Sequence, residues 1–265
     1  MSLLDDLLAD LRAEGDQLYA AVAGLDADGW ATPTPAAGWT VATQVAHLVW
    51  TDEVAVLSAR SATDGDPAWD ELLQRAAVDP EGFVDDGAHE VARTEPAQLL
   101  GRWDAARGDL AAALTGLPAG TRMPWFGPPM SASSMATARY METWAHSLDV
   151  HEALGRELEV TDRVRHVAHL GVRTRDFAFA TRGLAAPTED VRVQLTAPSG
   201  ETWAWGAEDA AQSVTGSAAD FCRLVTQRVH RDDTDLVAVG AEADRWLDVA
   251  QCFAGPPGEG RQPRG

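Results

Sequence analysis

The chain has 265 residues, 45% of them hydrophobic, so it can bury one large core or two ordinary ones. Its formal net charge is −20 and every basic side chain is an arginine, so binding to nucleic acid is not expected. No segment approaches the roughly 20 apolar residues of a membrane helix, and the N-terminus lacks the features of a signal peptide.

The two cysteines, Cys222 and Cys252, lie far apart and form no C-x-x-C pair. This spacing argues against a disulfide framework, and neither cysteine stands beside a histidine that could activate it. We therefore expect a cytoplasmic protein without a cysteine nucleophile of its own.

Leucine and alanine at helical spacing predict a first helix over residues 3–24. A Pro- and Gly-rich loop follows and ends at Thr40, which can cap a second helix running from about residue 41 to residue 59. Residues 67–78 are predicted as a short helix, and residues 79–90 as a loop.

Two more long helices are predicted in the N-terminal half. One spans residues 96–117, and the other begins at Ser131 or Ser133, runs to Leu154 and ends at Gly155. Four long helices separated by Pro- and Gly-rich segments favour a four-helix bundle. The fold class is thus mainly α, with this bundle over residues 1–158.

The pattern changes after about residue 160. Residues 161–183 are predicted as one helix, and the segments "DVRVQLTAP" and "ETWAWG" as a pair of antiparallel strands. Two more helices follow, "AADFCRLVTQRV" and "EADRWLDVAQCFAG", with "TDLVAVG" as a possible strand between them. The sequence therefore predicts a small α+β domain over residues 159–256 and a disordered tail over residues 257–265.

The segment "METWAHSLDVHEALG" places four polar residues in a helix that is otherwise apolar. Because buried charges are costly unless they are paired or bound to a metal, these residues need an explanation. Glu142 and His146 share one face of the helix, and Asp149 follows on the same stripe. His151 is turned roughly 140° from His146 and is not expected to join them.

A Glu-x-x-x-His pair can offer two ligands to a divalent metal, although such a pair is also a common surface interaction. His47 lies in an apolar stretch of the second helix, where it is either a core histidine bonded to a carbonyl or a third ligand. Three protein ligands leave one position open, as in catalytic zinc sites. Asp149 could then orient His146 or a bound group.

The segments "GWTVATQVAHLVWTDE" and "SMATARYMETWAHSLDVHEALG" resemble the mycothiol-dependent maleylpyruvate isomerase family of actinobacteria, within the DinB-like superfamily of metal-binding four-helix bundles. The resemblance covers nearly the whole chain and is closest to a metal-binding subfamily. It implies a DinB-like bundle followed by a small α+β C-terminal domain, which "AADFCRLVTQR" and "AEADRWLDVAQCFAGPP" resemble.

The resemblance also implies a function. His47, Glu142 and His146 would bind a divalent ion, usually zinc, and the ion would bind mycothiol as a thiolate. The thiolate would add to a small electrophilic substrate, either to isomerise a cis double bond or to complete an S-transfer. The partners expected are therefore mycothiol and a small molecule, with no nucleic acid and no membrane.

Arg139, Asp149 and Trp50 are the other predicted site residues. Arg139 could bind a substrate carboxylate bidentately and contact the thiol, although a surface or interdomain salt bridge is the simpler interpretation. Asp149 is predicted to act in catalysis. Trp50 is predicted to contact the thiol, although a tryptophan at such a position is often part of a core.

Two other functions are compatible with the same residues. The metal could activate water rather than a thiol, which would give a hydrolase or a cyclase-type lyase. The metal could also stabilise a bundle that binds a ligand without catalysis. The arginines and loops differ from those of the founding isomerase, so maleylpyruvate itself is not predicted as the substrate.

Overall fold

The structure is a computed structural model that describes residues 2–80, 82–258 and 260–264. The chain divides into two compact units, Met1–Leu158 and Glu159–Gly265. The helices of the described residues all fall short of the length and hydrophobicity that a membrane-spanning helix requires.

In the described residues of the first unit, the helices are the only regular elements, and no β-strand is present. They are α1 (Leu3–Val22), α2 (Ala27–Trp30), α3 (Val41–Asp64), α4 (Ala68–Val78), α5 (Phe83–Val91), α6 (Pro96–Gly116) and α7 (Ala132–Ala153). The helices α1 and α3 each pack against both α6 and α7, which closes a four-helix bundle. The predicted bundle is therefore confirmed, and α4 and α5 pack on α3 from outside it.

Side-chain caps set the start of the two helices that carry the candidate ligands. The hydroxyl of Thr40 accepts a hydrogen bond from the Thr43 amide at the start of α3, and Ser131 caps α7 in the same way. Helix α3 extends beyond its predicted end and stops at Gly65, whose φ of 68° is the left-handed conformation that glycine adopts most readily.

Residues 79–90 were expected to form a loop, and this prediction was wrong because α5 occupies most of the segment. Six of its twelve residues are aspartate, proline or glycine, which have low helix propensity. The helix is stabilised by packing instead: Ala88 and Val91 are buried, and Gly87 lies against Trp50 of α3. A Cβ at position 87 would lie 2.6 Å from the Trp50 ring, so glycine permits this close approach.

Among the described residues, the core of the bundle includes two apolar clusters with a polar layer between them. One cluster includes Val49 of α3 and Val150 of α7, and the other includes Ala55 of α3 and Ala136 of α7. Asp52 lies on α3 between the two clusters and is almost fully buried. The polar layer therefore lies next to the helical turns that carry the candidate ligands.

The second unit combines helices with a four-stranded sheet. Its elements are a 3-10 turn (Asp162–Val164), α8 (Arg165–Arg173), α9 (Arg175–Ala180), β1 (Val191–Thr196), β2 (Thr202–Trp205), β3 (Gln212–Ser217), α10 (Ala218–Val225), a second 3-10 turn (Arg231–Asp233), β4 (Val237–Val239) and α11 (Ala241–Val249). The strand order is β2-β1-β3-β4, with β1 parallel to β3 and the other two pairs antiparallel. The predicted α+β character is confirmed.

The second unit differs from the prediction in several details, of which two change its elements. The helix expected over residues 161–183 is broken at Thr174, whose hydroxyl donates to backbone carbonyls, including that of Gln251. The sequence also failed to predict β3, because "QSVTGS" has few of the large apolar residues typical of a strand. In the predicted tail, residues 257–258 and 260–264 have no helix or strand, and residues 259 and 265 lie outside the described residues.

Candidate metal centre

Three potential metal ligands meet where α3 and α7 lie side by side. The Nε2 atom of His47 is 3.3 Å from Glu142 Oε2, and the Nε2 atom of His146 is 3.2 Å from the same oxygen. The two imidazole centroids are 4.4 Å apart. One ligand atom from each residue lies within 4.8 Å of the others. The structure thus brings together the three residues that the sequence proposed as ligands.

The three side chains differ in their exposure and charge. The side chains of His47 and His146 are 8% and 10% exposed, whereas that of Glu142 is 24% exposed, so a solvent molecule can reach the cluster at the carboxylate. Burial opposes ionisation of Glu142, but hydrogen bonds from His146 and His47 outweigh it and hold the pKa of this carboxyl well below its ordinary value. The cluster therefore contains a carboxylate anion at neutral pH.

The donor set fits a zinc-like cation. Two imidazole nitrogens and one carboxylate oxygen form the three-ligand combination found in catalytic zinc sites. In addition, the Nδ1 atom of His47 is buried and has no hydrogen-bond partner in the described part of the chain. That orphaned nitrogen leaves only Nε2 of His47 with a polar neighbour, and this neighbour is the shared carboxylate.

A glutamine that sequence reasoning missed contacts one of these histidines. The amide oxygen of Gln44 accepts from Nδ1 of His146, and the amide nitrogen of Gln44 donates to Thr34 Oγ1 at 2.8 Å. The signal for Gln44 was its polar side chain one turn before His47 in an apolar stretch. The predicted role of Asp149 stays a prediction; its side chain is buried farther along α7.

Trp39 forms an aromatic wall beside the cluster. Its ring stacks on His146 with centroids 5.8 Å apart and an interplanar angle of 16°, and it lies 5.4 Å from the His47 ring. The ring centroid of the exposed His89 lies 6.4 Å from that of the same indole. Trp39 therefore covers imidazole faces that would otherwise be open to solvent.

The side chain of Trp50, a residue of α3, packs against α5. Its ring makes an edge-to-face contact with Phe83, with centroids 5.3 Å apart, and it packs against Gly87. These contacts account for a core role, and the proposed contact between Trp50 and a thiol stays a prediction.

Arg139 is paired inside the bundle and not at its surface. Its Nε atom donates to Asp52 Oδ1 at 2.8 Å, and the two side chains are 3% and 5% exposed. The Nη2 atom of Arg139 is buried without a hydrogen-bond partner among the described residues. The simpler interpretation of Arg139 named a surface or interdomain salt bridge, whereas the observed ion pair is internal to the bundle. The proposed contact with a substrate carboxylate stays a prediction.

His151 contacts its own helix: its Nδ1 atom donates to the carbonyl oxygen of Ser147 at 2.8 Å. Burial lowers the pKa of His151, with a smaller contribution from Arg156.

We expect the free energy of unfolding to decrease as the pH falls below about 6.5, because the unfolded chain then takes up a proton at His151 before the folded chain does. His151→Gln should reduce this dependence in urea unfolding between pH 8 and pH 5. If His151→Gln leaves the pH dependence of unfolding unchanged, the lowered pKa of His151 is not its cause.

Both cysteines are buried in the second unit and form no disulfide within the described residues. Burial raises the pKa of the Cys222 thiol well above its ordinary value, so the reactive thiolate is disfavoured. The predicted absence of a cysteine nucleophile stays a prediction.

A sequence model described as the mycothiol maleylpyruvate isomerase N-terminal domain matches residues 11–151. The chain belongs to this family. The matched residues include His47, Glu142 and His146. A second model, described as wyosine base formation, matches residues 187–239 in the second unit.

The relationship extends beyond the family domain. Two proteins from strains of Mycobacterium tuberculosis, the uncharacterized proteins Rv0036c and MT0041, are each 57% identical to this member of the family over 254 residues. The alignment covers 96% of this chain and 97% of each relative, so it includes both units.

Two crystal structures resemble the chain: the mycothiol-dependent maleylpyruvate isomerase and a histidine-to-alanine mutant of that enzyme. Their TM-scores are 0.62 and 0.63, with 91% of this chain and 95% of each solved chain covered. The sequence identity is 16% in both cases, so this likeness establishes the fold and not the reaction.

Proposed function

We propose that the protein is a divalent-metal-dependent enzyme that uses mycothiol, held as a thiolate, either to isomerise a small electrophilic substrate or to transfer the thiol sulfur to that substrate. The observation that carries the proposal is that the Nε2 atoms of His47 and His146 both lie next to one carboxylate oxygen of Glu142. Membership of the mycothiol maleylpyruvate isomerase N-terminal domain family supports the choice of thiol.

His47 and His146 would supply neutral imidazole nitrogens, and Glu142 would supply one negative charge. This combination suits zinc among the common divalent ions and leaves a net charge of about +1 on the loaded site. A cation held there would lower the pKa of a coordinated thiol and keep it as a thiolate.

The remaining contribution of the chain is access and orientation. The partly exposed Glu142 side chain marks the direction from which a small molecule reaches the cluster, because both histidines are almost fully buried. Trp39 covers the imidazole faces and so limits approach from its side. Cys222 and Cys252 are both buried, and in this proposal the nucleophilic sulfur would come from mycothiol.

The proposal is tested by the metal content of the purified protein and by titration of mycothiol into its cobalt form. We expect about one metal per chain and a thiolate-to-cobalt charge-transfer band that saturates with mycothiol. S-methyl mycothiol is the matched control, because its thioether cannot lose a proton and should give no such band.

Two results would contradict the proposal in different ways. A wild-type protein that binds no divalent metal would remove its basis. A metal-loaded protein whose spectrum ignores mycothiol would favour the alternative in which the site activates water, as in a hydrolase or a cyclase-type lyase.

A further inference from the structure

A chain of hydrogen bonds links His146 to the loop that precedes α3, and its direction is fixed at one end. The carbonyl oxygen of Trp39 can only accept, and the hydroxyl of Thr34 donates to it at 3.1 Å. A hydroxyl has one proton to give, so Thr34 Oγ1 must accept in its contact with Gln44. The group of Gln44 that faces Thr34 is therefore the amide NH₂.

The same logic fixes the other end of the chain. With its NH₂ group turned to Thr34, Gln44 presents its carbonyl oxygen to Nδ1 of His146. A carbonyl oxygen accepts and cannot donate, so Nδ1 must carry the proton. A protonated His146 ring donates from Nδ1 to Gln44 and from Nε2 to Glu142, whereas a neutral ring has one N–H. The proton that Gln44 holds on Nδ1 then leaves the lone pair of neutral His146 on Nε2, the atom that faces Glu142.

We propose that Gln44 is a positioning residue that holds His146 in the tautomer whose Nε2 atom can bind the cation, and that Thr34 fixes the orientation of Gln44. This inference rests on the proposed function. It concerns one histidine only, because Nδ1 of His47 has no comparable partner in the described part of the chain.

Trp39 closes the arrangement into a ring of contacts. Its carbonyl oxygen accepts from both the amide and the hydroxyl of Thr34, at 2.8 and 3.1 Å, while its indole stacks on the His146 ring. The loop before α3 therefore determines both the protonated nitrogen of His146 and the plane of its ring. The hydrogen-bond partner of a ligating histidine typically contributes 10–100-fold to metal affinity.

The tautomer is measured by ¹⁵N NMR of the metal-free protein with labelled histidine, at an alkaline pH where the rings are neutral. The His146 signals are assigned by comparison with His146→Gln. We expect a single Nδ1–H tautomer in the wild type and in Gln44→Glu, because a carboxylate also accepts from Nδ1. We expect a tautomer mixture in Gln44→Met, which has no acceptor, and in Thr34→Val, which frees the amide to flip.

Zinc affinity provides the second measurement. Gln44→Met and Thr34→Val should weaken zinc binding about 10–100-fold. Gln44→Glu should keep the zinc affinity close to that of the wild type. Thr115→Val is the matched control, because Thr115 is an exposed threonine on α6 that bonds only its own helix, to the Ala111 carbonyl. The inference is overturned if Gln44→Met and Thr34→Val keep the single tautomer. A wild-type protein with the expected tautomer and no zinc binding supports the hydrogen-bond assignment and overturns the proposed function instead.

Discussion

Replacement of Glu142 by glutamine is expected to abolish stoichiometric binding of divalent metal while the bundle stays folded. The substitution conserves size but removes the only negative charge among the three candidate ligands. In the wild type, both imidazoles contact Glu142 Oε2, at 3.3 and 3.2 Å. The loss of affinity should exceed the roughly 10–100-fold that follows removal of a ligand's hydrogen-bond partner.

The measurement is the melting temperature with and without a chelator. A ligand that binds only the folded state stabilises it by about 2.7 kcal/mol at 100 times its Kd, so zinc should raise the melting temperature of the wild type. This increase should be absent in Glu142→Gln and in His47→Ala. Glu53→Gln is the matched control, because Glu53 lies on α3 with 38% side-chain exposure and pairs only at the surface with Arg102.

Retention of the zinc-dependent increase in Glu142→Gln would contradict the assignment of this residue as a ligand. Retention of the increase in His47→Ala would contradict the assignment of His47 as a ligand. Retention of the increase in both variants would leave an acidic helical protein in which the cluster is only a hydrogen-bonded group.

The three clustered residues could be predicted from the sequence because each helix obeys a simple geometric rule. Residues four apart on one helix share a face, which pairs Glu142 with His146. The apolar stretch around His47 places that residue on a second long helix, on the side that faces the interior of the bundle. Gln44 was missed because its partner is His146, 102 positions away, and glutamine is not a typical metal ligand.

Failures in predicting the fold have a common physical cause. The helix α5 and the strand β3 are stabilised by their neighbours, α3 and β1, and not by their own composition. Local propensity is a weak guide where packing decides the structure. Arg139 is a similar case, since its partner Asp52 lies on another helix and no local pattern links the two.

Among the substitutions considered, breaking the Asp52–Arg139 ion pair should cause the largest loss in the free energy of unfolding. Asp52→Ala would leave the Arg139 charge buried without a counterion, and we expect a loss of about 3–5 kcal/mol in the free energy of unfolding. Burial raises the pKa of the Asp52 carboxyl against the opposing effect of Arg139, which indicates how strongly this site disfavours a charge. Urea unfolding measures the loss. Glu53→Ala, which breaks the exposed pair with Arg102, should cost no more than about 1 kcal/mol.

A double variant separates the structural role of this pair from a role in substrate binding. Asp52→Leu combined with Arg139→Met replaces two buried charges with apolar groups, and such replacements are often neutral or stabilising by about 1–4 kcal/mol. If the folded double variant keeps its zinc and its activity, Arg139 acts only through the ion pair. If zinc is retained but KM for a carboxylate substrate rises, Arg139 also contacts that substrate. Equal losses of stability in Asp52→Ala and Glu53→Ala would contradict the premise that burial makes this pair costly to break.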